Sequence, residues 1–251
     1  MEIKRYNFQT RIYESREEMG RAAAGAVAQA VCRRMETQPF VRMIFAAAPS
    51  QNEFLKYFAQ DSRVDFSRII AFHMDEYVGL SPDAPQGFGN FLRTRLFDIA
   101  PFHAVHYING NAGDLQAECA RYAALLAEAP IDIVCMGIGE NGHIAFNDPH
   151  VADLRDPKAV KTVHLDSVCR MQQVHDGCFA EIESVPETAI TLTVPRLCDA
   201  KQHFCIVPAH TKREAVYKTL HGAVGNHCPA TALRLCPEVA LFLDSDSASM
   251  L

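Results

Sequence analysis

The chain of 251 residues has no block of lysine and arginine, and its formal net charge is −6. A nucleic-acid partner needs concentrated positive charge, so none is expected, although a local basic pocket for a small anion is still allowed. Its nine cysteines are odd in number and form no C-x-x-C pair; most stand inside apolar runs, as Cys135 does in "IVCMG" and Cys205 in "HFCIV". This suits buried thiols in a reducing compartment better than a disulfide framework. "MEIKRYNFQTRIYES" lacks the apolar core of a secretion signal, and no apolar run approaches membrane-spanning length. A cytoplasmic protein without a membrane partner is therefore expected. No repeat, low-complexity tract or linker interrupts the chain. His103 and His106 lack a third ligand, and His221 and His227 are scattered, so no metal site is expected.

What is present reads as one globular unit, expected to be a single domain over residues 1–251. The apolar fraction of 49% supports a large core without help from metals or disulfides. Apolar strand-like runs alternate with amphipathic stretches. The strand candidates are "VRMIFAAA", "RIIAFHM", "IDIVCMGIG", "TAITLTV", "HFCIVPA" and "VALFLD", and helical patterns such as "QNEFLKYFAQ", "DLQAECARYAALLAEA" and "TKREAVYKTLHG" fall between them. A long helix, "EEMGRAAAGAVAQAVCRRME", comes first. Near-continuous apolar strands imply a sheet buried on both faces, hence an α/β fold with a mostly parallel central sheet flanked by helices.

In such sheets ligands bind beyond the carboxyl ends of the strands. Four loops there hold the chemistry: "APSQN", "MDEYVG", "GENGHIAFNDP" and "AHTK". In "MDEYVG", Asp75 and Glu76 are adjacent, and neighbours at a strand end point to opposite sides. One can enter a site as a general base while the other stays structural; the plainer reading is a solvated acidic turn. "GIGENGHIAFNDP" is open to three readings: a turn, a phosphate cradle or a catalytic loop. Its glycines permit positive φ and close backbone approach, but it leads into "IAFNDP" and not into the long helix that a dinucleotide fingerprint requires. His143 has Asn141 before it and Asp148 after it, and a nearby carboxylate can hold an imidazole in one tautomer. Thr211 is a plausible N-cap, placing Lys212 in a first helical turn, where a lysine either stays exposed or binds an anion. Ser50 either caps a helix starting near Gln51 or donates to the same anion.

"MDEYVGL" with "GHIAFN", and then "INGNAGDLQAECARY" and "CPATALRLCPEVALFLDSDS", together resemble the glucosamine-6-phosphate deaminase/isomerase family over most of the chain, in the expected order. The resemblance implies a Rossmann-like three-layer sandwich and conversion of glucosamine 6-phosphate and water to fructose 6-phosphate and ammonia, without a cofactor. It implies a phosphorylated amino sugar as partner and a homo-oligomer. It makes Asp75 the base that moves a proton between C2 and C1. His143 becomes the ring-opening residue, with Asp148 orienting it, and Lys212 a phosphate ligand. It would place Asp where Asn141 stands, Glu where Asp148 stands, and Thr-Gly-Gly-Thr-Pro where this chain has "AAPSQNE". Asn141 can hydrogen-bond His143 but carries no charge. Ser50 and Gln51 are expected to replace the missing glycine-rich loop. Arg170, in "SVCRMQQVHDGCF", is the candidate for a phosphate-binding arginine. Two other readings are a 6-phosphogluconolactonase, whose family usually has Asp-Glu-Arg where this chain has Asp75-Glu76-Tyr77, and a non-catalytic sugar-phosphate sensor. Against the sensor, the first helix leads directly into the first strand candidate, without room for a DNA-binding module.

Overall fold

The computed structural model describes residues 2–5 and 8–251. Eleven strands are defined there: β1 (Glu2–Arg5), β2 (Phe8–Tyr13), β3 (Val41–Phe45), β4 (Ile69–His73), β5 (Asp75–Tyr77), β6 (Ala104–His106), β7 (Ile133–Met136), β8 (Val160–His164), β9 (Thr188–Leu192), β10 (Gln202–Val207) and β11 (Val239–Asp244). Seven α-helices lie among them: α1 (Arg16–Met35), α2 (Asn52–Ala59), α3 (Phe88–Leu92), α4 (Leu115–Ala127), α5 (Ser167–His175), α6 (Val194–Cys198) and α7 (Arg213–His221).

The main sheet has the order β1-β2-β11-β10-β7-β3-β4-β6. All its pairings are parallel except that of β1 with β2. Its central strands are mostly apolar because both faces are covered. Met43, Phe45, Ile133, Cys135, Phe204 and Ile206 pack into one buried cluster with residues of α1 and α2. The intervening Ile44, Val134, Met136, Cys205 and Val207 pack into a second cluster with residues of α4, α6 and α7. Alternation of side chains along each strand thus builds the three layers.

Local chemistry sets the helix ends. The Ser15 hydroxyl accepts from the Glu18 amide at 3.2 Å at the start of α1, and Asp114 accepts from the amides of Gln116 and Ala117 at the start of α4. Gly20 lets α1 and α2 touch, since a Cβ there would stand 2.4 Å from Cβ of Glu53.

"TAITLTV" is a strand, as read, but not of the main sheet. It forms β9, the centre of a separate antiparallel sheet of order β5-β9-β8. The "DEY" read as loop is β5. The chain therefore leaves the main sheet after His73 and joins the small one at Asp75, and the Leu192 amide donates to the Met74 carbonyl at the crossing, 2.8 Å away.

Candidate active site

The four loops converge on one cleft at the carboxyl ends of β3, β4, β7 and β10. Ser50, Gln51, Asp75, His143, Gln172, Gln173 and Lys212 all line it.

Asp75 is the first residue after the sheet crossing and pairs with Thr191 in β9. It is 4% exposed, and its carboxylate has no hydrogen-bond partner among the described residues. Burial, reinforced by the charge of Glu76, holds its carboxyl well above the usual carboxylate range. Glu76 serves structure instead, accepting from the amides of Tyr77, Phe88 and Gly89 at 2.8–3.0 Å. Asp75 lines the cleft and Glu76 turns away from it, the opposite placement that alternation predicts.

The tip of β4 is fixed by a residue that the sequence reading passed over. The Tyr122 hydroxyl accepts from the His73 amide at 3.0 Å and donates to the His73 carbonyl at 2.9 Å, standing in for a neighbouring strand. His73 Nε2 accepts from the Ile108 amide at 2.8 Å, and burial lowers the imidazole to about 4, so His73 is neutral. The only available signal for Tyr122 was its place in "AECARY", a helical stretch with no obvious link to a strand end.

His143 is carried on the turn that follows β7. The Gly139 amide donates to the His143 carbonyl and the Gly142 amide to the Gly139 carbonyl. Gly142 has φ +85°, and a Cβ there would meet Sγ of Cys228 at 2.5 Å. The Nδ1 atom of His143 lies 2.8 Å from Oδ1 of Asn141 and 3.1 Å from Oδ1 of Asp148. Both are acceptors, which fixes the proton on Nδ1 and leaves Nε2 without a partner among the described residues. Asp148 is fully buried. Burial alone would raise its carboxyl, but the hydrogen bond and charge of His143, with donors from Asn141 and the Asp166 amide, lower it below the usual range.

Asn141 uses its whole hydrogen-bonding capacity. Its Oδ1 accepts from the amide (3.0 Å) and the ring of His143, and its Nδ2 faces Oδ1 of Asp148 at 3.0 Å and Oδ2 of Asp166 at 3.4 Å. The ligand atoms of His143, Asp148 and Cys169 lie within 4.8 Å of one another, as do those of Asp148, His150 and Asp166. His143 and Asp148 already have each other as partners in the first group.

The cleft also holds a buried cation. Lys212 is 3% exposed, and its Nζ has no partner. Burial pushes the ammonium below the usual lysine range, against the opposing charges of Asp176 and Glu140. Beside it, Gln51 Nε2 donates to Ser50 Oγ and the Ile206 carbonyl, both at 3.1 Å, leaving its buried Oε1 unpaired. Gln173 Oε1 is likewise buried and unpaired, while Gln172 Oε1 accepts from the Glu140 amide at 2.8 Å.

Three details differ from the sequence reading. Neither Ser50 nor Thr211 caps a helix: Gln51 and Lys212 occupy those positions without side-chain cap bonds, each at the end of a 3-10 turn. Arg170 is not among the cleft residues. Its guanidinium donates to the carbonyls of Ile182 and Val185 and pairs with Glu187, tying down the segment after α5. Gln172 and Gln173, two and three residues later, face the cleft in its stead.

Residues 14–241 match the family model for glucosamine-6-phosphate isomerases/6-phosphogluconolactonase. The chain is 38% identical over 192 residues to a glucosamine-6-phosphate deaminase of Exiguobacterium, covering 76% of this chain and 73% of that protein. It is 32% identical over 241 residues to the glucosamine-6-phosphate deaminase of Bacillus cytotoxicus, covering 95% and 87%. A solved structure described as a monomeric glucosamine-6-phosphate deaminase superposes with a TM-score of 0.87 at 28% identity, covering 96% of this chain and 99% of that one. The 6-phosphogluconolactonase of Thermotoga maritima shares the fold at a TM-score of 0.76 and 16% identity, covering 94% and 99%. With its cleft at the strand ends and a family match from residue 14 to residue 241, the chain belongs to the glucosamine-6-phosphate isomerase/6-phosphogluconolactonase family.

Proposed function

We propose that the protein is an isomerising deaminase that converts glucosamine 6-phosphate and water to fructose 6-phosphate and ammonia. The observation that carries this reading is the composition of the cleft: a partnerless carboxylate raised by burial, an imidazole with its proton fixed on Nδ1, and a buried, unpaired ammonium. Lys212, with Ser50 and Gln51, holds the phosphate and supplies binding energy remote from the reacting carbons. His143, oriented by Asn141 and Asp148, moves the proton that opens the sugar ring. Asp75 takes the C2 proton from the open-chain aldose and returns it to C1, while O1 gains a proton and the nitrogen gives one up, leaving a C1 hydroxymethyl group and a C2 imine. Water adds to C2, the C–N bond breaks, and ammonia departs as the ketone forms. Burial and the charge of Glu76 raise the Asp75 carboxyl, which makes its carboxylate a stronger base than an exposed one.

Finer expectations accompany this reading. The nine free thiols suit a reducing cytoplasm. One domain is inferred over residues 1–251, because the main sheet takes strands from Glu2–Arg5 through to Val239–Asp244. A homo-oligomer is inferred from the family resemblance, while the deaminase of TM-score 0.87 is described as monomeric. Sedimentation equilibrium against the chain mass of 27.9 kDa decides between them.

The test of function is ammonia release from a panel of 2-amino-2-deoxyhexose 6-phosphates, run beside hydrolysis of 6-phosphogluconolactone. Turnover of glucosamine 6-phosphate with ammonia as product is expected. Lactone hydrolysis without ammonia release would replace this reading with the lactonase one.

A further inference from the structure

We propose that Asp166 is a positioning residue for His143, acting through the side-chain amide of Asn141. The inference rests on the deaminase reading above and extends it to a residue outside the cleft lining.

The family resemblance would place a carboxylate at position 141, directly against the imidazole. Here the amide stands there, and a carboxylate lies one group further out. Oδ2 of Asp166 is 3.4 Å from Nδ2 of Asn141, whose Oδ1 is 2.8 Å from Nδ1 of His143. A negative charge on the N–H side of an amide polarises it and makes its oxygen a stronger acceptor. The charge absent from residue 141 thus acts on His143 through one intervening amide.

Asp166 is held for this role from two sides. Its Oδ1 caps α5 by accepting from the Cys169 amide at 2.7 Å, and its own amide donates to Oδ2 of Asp148 at 3.4 Å. Both hydrogens of Asn141 Nδ2 have carboxylate acceptors, Asp148 at 3.0 Å and Asp166. An aspartate at 141 would turn that donor into a third carboxylate beside the other two. Asn141 and Asp166 therefore belong together: the amide is the residue that Asp166 requires.

The charged and titratable groups around the pair are few. Asp148 faces His143 from the same loop, the Cys169 thiol approaches both from α5, and Asp75 and Lys212 share the cleft. His150 faces Asp166, with Nδ1 3.8 Å from Oδ2. The Asp166 side chain is 30% exposed, so solvent screening keeps its influence modest.

The experiment is a charge exchange among Asp166→Asn, Asn141→Asp and the double variant. Asparagine caps a helix as well as aspartate does, so Asp166→Asn keeps α5 intact, and a melting curve checks this. Asp166→Ser, another capping residue, repeats the test if Asn proves unstable. Asp166→Asn should lower kcat about two- to fivefold, the scale of one screened charge contact, with KM for glucosamine 6-phosphate little changed. The imidazole titration of His143, followed by NMR, should move to lower pH. Asn141→Asp alone should lower kcat further, and the double variant should recover kcat above that of Asn141→Asp. A purely structural role for Asp166 predicts no such recovery. The proposal is overturned if Asp166→Asn leaves both kcat and the His143 titration unchanged, or if the double variant is no better than Asn141→Asp. The NMR arm needs no substrate, so a parent protein that releases no ammonia defeats the deaminase reading while the Asp166–His143 coupling is still measured.

Discussion

A methyl group on Gly139 would stand 2.1 Å from Cε1 of His143 and 2.2 Å from its Nε2. The turn and the imidazole occupy adjoining volume with nothing to spare, so the absence of a side chain at 139 determines where the ring sits.

Gly139→Ala should therefore displace the imidazole while leaving Asp75 and Lys212 in place. A misplacement of about 1 Å commonly reduces turnover about 10²-fold. We expect a loss of that order in kcat on the cyclic substrate, with a much smaller change in KM. Steady-state kinetics provide the check, and a variant with parental kcat would show that the ring tolerates the shift.

Asp75→Asn should separate activity from stability. Loss of a general base reduces turnover by about 10²–10⁴. The stability effect has the opposite sign. The Asp75 carboxyl is raised by burial and by Glu76, so the folded state binds its proton more tightly than the unfolded chain does. The stability contributed by the protonated form is fully present below the unfolded value, near 3.9, and is lost as pH rises through the folded one. Asparagine escapes that loss, so the variant should melt higher at neutral pH, by about 2–4 °C for each kcal/mol relieved. The advantage should vanish at low pH. A variant that melts lower than the parent at pH 7 would contradict the account.

Lys212 makes a prediction without any substrate. An anion that binds only the folded state stabilises it by about 2.7 kcal/mol at 100 times its Kd. Inorganic phosphate should raise the Tm of the parent protein and leave Lys212→Ala almost unmoved. In kinetics, Lys212→Ala should raise KM for the phosphorylated sugar far more than for its unphosphorylated analogue. Equal responses in both proteins would remove Lys212 from the anion site.

Much of this arrangement was legible in the sequence because parallel sheets put their loops at one edge. Knowing only that "APSQN", "MDEYVG", "GENGHIAFNDP" and "AHTK" follow apolar strands is enough to bring Ser50, Asp75, His143 and Lys212 together. Sheet membership was not legible in the same way. The alternation in "TAITLTV" identifies a strand, but one of its two partners is Asp75–Tyr77, more than a hundred residues earlier, and nothing local encodes that pairing. The choice of Arg170 failed for a rotational reason. Successive residues on a helix are about 100° apart, so charge alone cannot say which side of α5 meets the cleft. Gln172 and Gln173 are uncharged, so nothing in their side chains marks them, yet they line the cleft. Asn141 looked like a lost charge because Asp166 lies 25 positions away in sequence.

The crossing at Met74 divides the machinery between two hydrogen-bonded lattices. Lys212, Ser50 and Gln51 hang from strands of the main sheet, whereas Asp75 is the first rung of the small one. The Asp75 carboxylate is therefore carried by a different sheet from Lys212, Ser50 and Gln51, whereas His143 follows β7 of the main one. Val163 of β8 and Ile190 of β9 are both buried, on opposite faces of the small sheet, so substitutions there act first on the strands that carry the carboxylate. A scaffold divided this way lets changes around the carboxylate and changes around Lys212 arise independently of one another.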